Sequence, residues 1–193
     1  DERLGSTGRE GKTMTTQKDV AATPLQPIVM ASVPELALPK PYYEKDHVVI
    51  YNASFERIMP FITVVDCVLT DPPYGVEFAK WDAESCAWAV HLCKRVSSCV
   101  MITPGIAKAW DYPRPDWIGC YSFPAGFVAA KGGGLNAWSP VLIYGENRLR
   151  LDAKQFSPKK DTIGAKGHPC PKPLRPWKWL IEQSCPEGGI VLD

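Results

Sequence analysis

No apolar run in the chain approaches the roughly 18 residues that a membrane-crossing helix needs. The first residues also lack the basic-then-apolar order of a secretory leader, so a soluble, cytoplasmic protein is expected. There is no C-x-x-C pair: Cys67, Cys86, Cys93, Cys99, Cys120, Cys170 and Cys185 are an odd number scattered through apolar segments, which reads as reduced, intracellular core thiols rather than a disulfide framework. Histidine is scarce, and His47, His91 and His168 stand far apart without cysteine or carboxylate at ligand spacing, so no metal site is expected. No nucleophile elbow appears, which leaves Ser-His-Asp and Cys-His hydrolase chemistry without support. Nor is there an excess of either charge. With 22 Lys and Arg against 21 Asp and Glu, the net +1 gives no whole-chain field to draw nucleic acid, so any such surface must be local.

What is there suits one packed domain and a tail: 193 residues, 45% of them hydrophobic. Residues 1–40 mix Gly, Thr and Lys with prolines at 24, 27, 34 and 39 and show no period, a disordered or loosely packed lead-in. Residues 41–193 form the folded part. The chain starts on Asp1 rather than Met and stops on Asp193 directly after Ile190-Val191-Leu192, where a domain is expected to continue, so both ends read as cut.

Within the folded part, His47–Tyr51 is a short β-branched strand, followed by a short helix through Phe55, Ile58 and Met59 that Pro60 limits. Val64–Thr70 is near-continuously apolar and bounded by Pro72-Pro73, as for a strand buried on both faces of a parallel sheet. Asp82–Val96 is the best candidate for a long helix, and Cys99–Thr103 is another buried strand closed by Pro104-Gly105. Strand, helix, strand at this spacing is a βαβ unit, so the class is α/β with a mostly parallel sheet. Two further strands fit Trp117–Phe123 and Val141–Tyr144, either side of the Lys131-Gly132-Gly133-Gly134 turn, and can pair antiparallel. Residues 148–167 are basic and turn-rich, and a helix over Leu174–Gln183 precedes a last strand.

The sharpest signal is Asp71-Pro72-Pro73-Tyr74-Gly75 at the carboxyl end of a buried strand, where open α/β sheets place their ligands. Its first four residues are expected by chance in about one chain per thousand of this size. The pattern suits methylation of an exocyclic amine. Such a nitrogen is a poor nucleophile because its lone pair is delocalised into the ring. A carboxylate at Asp71 and the carbonyl of Pro72 can each accept one N–H, leaving the pair aimed at a methyl sulfonium. Pro72 and Pro73 fix φ and hold the acceptors ready, and Tyr74 offers a face for an extruded base. The same residues on their own fit equally a Pro-Pro turn in which Asp71 caps the loop.

Asp71-Pro72-Pro73-Tyr74 behind an apolar strand resembles the catalytic motif of the DNA N6-adenine and N4-cytosine methyltransferases. His168-Pro169-Cys170-Pro171-Lys172-Pro173, then a helix and Gly188-Gly189-Ile190-Val191-Leu192-Asp193, is similar to the segment that precedes the cofactor motif in the permuted class of that family, where the catalytic motif comes first. The resemblance covers roughly Asp46 to Asp193. It implies a partial Rossmann-like S-adenosylmethionine-dependent methyltransferase fold, incomplete at the C-terminus because the family's Pro-Phe-x-Gly-x-Gly loop is not in the sequence. It implies catalytic roles for Asp71, Pro72, Pro73 and Tyr74, and cofactor contacts from Asp71, His168, Pro169, Lys172 and Asp193, with Lys172 meeting the cofactor's carboxylate. The implied substrate is double-stranded DNA, with a restriction endonuclease as the partner class such enzymes have.

In the family that the motif resembles, Asp in the first position suits the adenine N6 enzymes better than the cytosine N4 ones, so the resemblance implies adenine N6 as the favoured target. The basic stretch lies where this class places its target-recognition region. Lys154, Lys159, Lys160 and Lys166 suit phosphate contacts there, although a lysine-rich solvated loop has the same composition. Trp177, Trp179, Leu180 and Ile181 read as packing the helix on the sheet, and Thr103-Pro104-Gly105 as lining the pocket or as a simple turn. Two other readings stand beside DNA methylation: an inactive fragment or noncatalytic remnant that binds nucleic acid or a partner, and a methyltransferase acting on RNA or on protein glutamine.

Overall fold

The structure, a computed structural model, describes residues 37–75, 77, 80, 82–123, 128–129, 135–157 and 172–193. The expected loose lead-in at 1–36 lies outside the described residues, as do the glycine turn at 131–134, the later part of the basic stretch and Cys170. Residues Leu38–Asp193 form one unit. It opens with a hairpin of β1 (Tyr43–Lys45) and β2 (Val48–Ile50), antiparallel and exposed on every residue. Asp46 and His47 make the turn with φ of 51° and 63°, the doubly positive conformation that matches the twist of a two-residue hairpin. The strand expected over His47–Tyr51 is therefore shorter, because His47 belongs to the turn. α1 (Phe55–Ile58) follows, and Pro60 sits in the 3-10 turn Met59–Phe61 that ends it.

The main sheet is built from β3 (Cys67–Thr70), β4 (Cys99–Ile102), β5 (Trp117–Ser122), β8 (Trp138–Gly145), β9 (Ala153–Gln155) and β10 (Val191–Leu192). Between β5 and β8 lies a small antiparallel pair, β6 (Val128–Ala129) with β7 (Leu135–Asn136). The six strands lie in the order β10-β3-β4-β8-β5-β9. β10, β3 and β4 are mutually parallel, β9 is parallel to β5, and β8 runs antiparallel to both β4 and β5. The class is α/β with a mixed, mostly parallel sheet, and the expected antiparallel pairing of the two later strands is present. α2 (Val90–Val96) crosses from β3 to β4, and α3 (Leu174–Ser184) precedes β10.

Alternation along the strands divides the core in two. Val68, Val100, Ile102, Leu142 and Tyr144 face Val90, Cys93 and Val96 of α2. Cys67, Leu69, Cys99, Met101, Val141 and Ile143 face Phe156 and, on α3, Trp179 and Leu180. Central strands apolar on both faces are what a sheet covered by helices on both sides requires. Cys67, Cys93 and Cys99 are buried, and the six described cysteines are free thiols. Among the described residues no helix is long and apolar enough to cross a membrane.

Three expectations need correction. The helix over Asp82–Val96 is only Val90–Val96, preceded by a 3-10 turn at Ala87–Ala89. Asp82 instead turns its buried carboxylate back to accept the Gly75 N–H at 2.8 Å, the local side-chain bonding that makes Asp a poor helix-interior residue. The turn-rich stretch after Arg148 contains a strand, β9, which pairs along β5. Ile181 is exposed rather than packed on the sheet, and Trp179 and Leu180 carry that contact.

Arg148, the first cation of the basic stretch, is a structural tie. Its Nη1 donates to the carbonyls of Asp66 at 3.0 Å and Ser184 at 2.9 Å. Its Nη2 donates to Glu146 Oε2 at 2.7 Å and Ser98 Oγ at 3.2 Å. One guanidinium thus joins the entry to β3, the end of α3 and the loop before β4. Hydrogen bonds from a charged donor contribute more than neutral ones, so Arg148→Ala is expected to lower unfolding free energy by about 2 kcal/mol in urea denaturation. Arg148→Lys should recover only part of this because an ammonium lacks the planar fork.

Candidate active site

β3 ends at Thr70 and the chain turns through Asp71-Pro72-Pro73 into Tyr74. β4, alongside, ends at Ile102, and the two ends stay in register: the Thr103 N–H donates to the Thr70 carbonyl at 3.1 Å. Beyond the prolines, Tyr74 bridges to Ser85, and Asp82 closes the loop on Gly75. The turn is thus held from both sides, which fixes where Asp71 points.

The Asp71 carboxylate is the hub. Its Oδ1 accepts two hydroxyl donors, Thr103 Oγ1 at 2.7 Å and Tyr74 Oη at 2.5 Å. Its Oδ2 meets the Lys172 ammonium at 2.6 Å. Lys172 Nζ also donates to Tyr74 Oη at 2.8 Å and lies 4.8 Å from the centroid of the Tyr74 ring. The carboxylate side chain retains 19% of its surface and the lysine 27%, so the cluster sits at a rim rather than in the core. Gly105 makes room for the tyrosine: its φ is +71°, and a Cβ there would come 3.0 Å from two Tyr74 ring carbons.

On the other side, parallel pairing of β10 with β3 sets the last residue, Asp193, beside the same turn. Burial pushes its carboxyl above the usual carboxylate range and the neighbouring Asp71 charge adds to this, while hydrogen bonds from the Thr70 side chain and the Asp71 backbone oppose it. The residue as a whole keeps exposed surface. Among the described residues no group of three or more His, Cys, Asp or Glu could hold a metal.

The structure therefore brings together Asp71, Pro72, Pro73, Tyr74, Lys172 and Asp193 of the residues singled out in the sequence. His168, Pro169, Lys159, Lys160 and Lys166 lie outside the described residues. Lys154 on β9 lies over the rings of Phe156 at 5.3 Å and Trp179 at 5.5 Å, away from this cluster. Lys172 stands just before α3, whose first residue is Leu174, rather than in the helix's first turn. The sequence points to Thr103 only through its backbone, as lining for the pocket, and not to its side chain as a donor to Asp71; the available signal is a hydroxyl residue directly after a buried strand next to the motif strand. A separate open cleft of about 800 Å³ lies on the β8–β5 face, lined among others by Trp110, Tyr112, Trp117 and Trp138. Asp71 is not part of it.

Fold and site together define an α/β protein with a rigid carboxylate, proline and tyrosine cluster at the carboxyl ends of adjacent parallel strands. A scan against protein-family models finds no match for the chain, and a search of the curated proteins finds none either.

Proposed function

We propose that this chain is the base-binding and catalytic part of a Rossmann-like S-adenosylmethionine-dependent methyltransferase that methylates an exocyclic amine in DNA, with adenine N6 the favoured target. The observation that carries the reading is Asp71, held by Thr103 and Tyr74 on one oxygen while the other, Oδ2, faces a nitrogen donor. A carboxylate oriented in this way keeps its direction whichever nitrogen donor takes Oδ2, which is how preorganised acceptors lower a barrier.

In this reading Asp71 Oδ2 and the Pro72 carbonyl each take one N–H of the target amine and so localise its lone pair. The Tyr74 ring stacks on the base, which must leave the duplex to be reached. Asp193, at the end of the strand beside β3, and Lys172 carry the charges that suit the ammonium and carboxylate of an amino-acid group, and the cofactor supplies an electrophilic methyl on sulfonium. Trp110, 88% exposed on the turn that follows Gly105, lines the separate cleft and offers stacking surface there.

The test is transfer of labelled methyl from S-adenosylmethionine to DNA. Thr103→Val removes one donor to Asp71 Oδ1 and keeps the shape of a buried side chain. Turnover is expected to fall about tenfold with the melting temperature little changed, and Thr103→Ser should restore most of it. Turnover in Thr103→Val equal to wild type would remove Thr103 from the site's preorganisation.

A further inference from the structure

We infer that Asp71 and Tyr74 form a receptor for an amine or ammonium nitrogen, and that Lys172 is its resident occupant, which an incoming amine must displace. This deepens the reading above; it rests on Asp71 as an N–H acceptor and does not depend on methyl transfer.

Three hydrogen bonds and one ion pair in the cluster carry the inference through their direction. Thr103 gives its proton to Asp71 Oδ1, and Tyr74 gives its own to the same oxygen. Both hydroxyl donors are therefore spent inside the cluster. What remains facing Lys172 Nζ is Asp71 Oδ2 at 2.6 Å, the acceptor side of Tyr74 Oη at 2.8 Å and the Tyr74 ring at 4.8 Å. These are a negative oxygen, a lone pair and the negative face of a π system, and none of the three donates. Such a set favours a group with at least two N–H donors and positive or developing positive charge, and it disfavours carboxylates and phosphates, which find no donor in it.

Lys172 meets those requirements, and its attachment suits exchange. Its backbone is fixed just before α3, which Trp179 and Leu180 pack into the core. The side chain reaches in from the rim and keeps 27% of its surface. A partly exposed ion pair on a flexible four-carbon stem is held weakly. The lysine therefore swings out while the helix stays, leaving Asp71 still oriented by Thr103.

Chemical rescue tests this. Lys172→Ala should melt below wild type, and n-propylammonium chloride at constant ionic strength should raise its melting temperature saturably, with a midpoint on the order of millimolar, as for a small, weakly held ligand. Wild type should show no saturable rise over that range, because its own lysine holds the site. Tetramethylammonium, which has no N–H, should fail to rescue, and the double variant Asp71→Asn, Lys172→Ala should not respond to propylammonium. Equal responses of wild type and Lys172→Ala, or rescue by tetramethylammonium, would overturn the proposal.

Should Lys172→Ala not fold, reductive methylation of wild type gives the same decision. Lys172 should react about fivefold more slowly than the solvated Lys178, because its donors are engaged, and Asp71→Asn should remove the protection. Equal rates in wild type would overturn the proposal. Rescue without methyl transfer to DNA would leave the receptor standing and end the methyltransferase reading; methyl transfer without rescue or protection would do the reverse.

Discussion

Asp71→Ala is expected to reduce methyl transfer by on the order of a hundredfold or more while the fold persists. The side chain lies at the rim of the sheet and contributes to neither apolar core, so its loss opens no cavity among packed residues. What disappears is the acceptor that Thr103 and Tyr74 orient, and with it the partner of Lys172. The Tyr74 hydroxyl and the Lys172 ammonium can then turn to water at the rim, whereas the buried Thr103 hydroxyl loses its acceptor, so the melting temperature is expected to fall by a few degrees. Single-turnover kinetics with DNA and S-adenosylmethionine give the ratio. Near-normal turnover in Asp71→Ala would take the residue out of the chemistry.

The largest expected effect on stability is far from that site, at Gly145→Ala. Gly145 ends β8 with φ of +81°, and its N–H donates to Asp116 Oδ2 at 2.7 Å. A Cβ there would stand 2.2 Å from the backbone oxygen of Ser98, which also accepts the Glu146 N–H. The obstacle is backbone at the entrance to β4, not the end of a flexible side chain, so relief requires moving a central strand. The left-handed conformation and the overlap together should cost about 3 kcal/mol or more, about 10 °C in melting temperature for a domain of this size. Thermal unfolding followed by circular dichroism checks this, and a shift under about 2 °C would mean that the β8–β4 junction yields more easily than its geometry implies.

The sequence showed most of what lies in the centre of the sheet and less at its margins. Cys67–Thr70 and Cys99–Ile102 are buried on both faces, so an uninterrupted apolar run was enough to place them, and α3 was legible because Pro173 and Pro176 fit its start and its apolar residues recur at helical spacing. β9 was not legible: Ala153-Lys154-Gln155 has no strand signature, and its place depends on β5 beside it and on Phe156 filling the core after it. The Asp82 segment was misread because its apolar spacing fits a helix, whereas its carboxylate serves a loop some seven residues earlier, a use that no period reports.

The same divide runs through the site. Asp71-Pro72-Pro73-Tyr74 is local and was visible as a string. Thr103 joins it only because β3 and β4 lie side by side, and Lys172 because α3 starts at the carboxyl edge of the sheet and runs back toward the entry to β3. Contacts between residues 32 and about 100 positions apart come from topology. Arg148 shows the reverse case: in sequence it is one cation in a basic run, and in the fold its donors are taken up by Asp66, Ser184, Glu146 and Ser98.

The most direct test is to identify the modified nucleoside. Wild-type protein is incubated with unmethylated double-stranded DNA and isotopically labelled S-adenosylmethionine, the DNA is digested to nucleosides, and these are separated by mass. Labelled N6-methyldeoxyadenosine that appears with wild type and is absent with Asp71→Ala is the expected result. Labelled N4-methyldeoxycytidine would keep the chemistry and change the base, and no methylated nucleoside above the Asp71→Ala background would contradict the assignment of Asp71 and its cluster to DNA amine methylation.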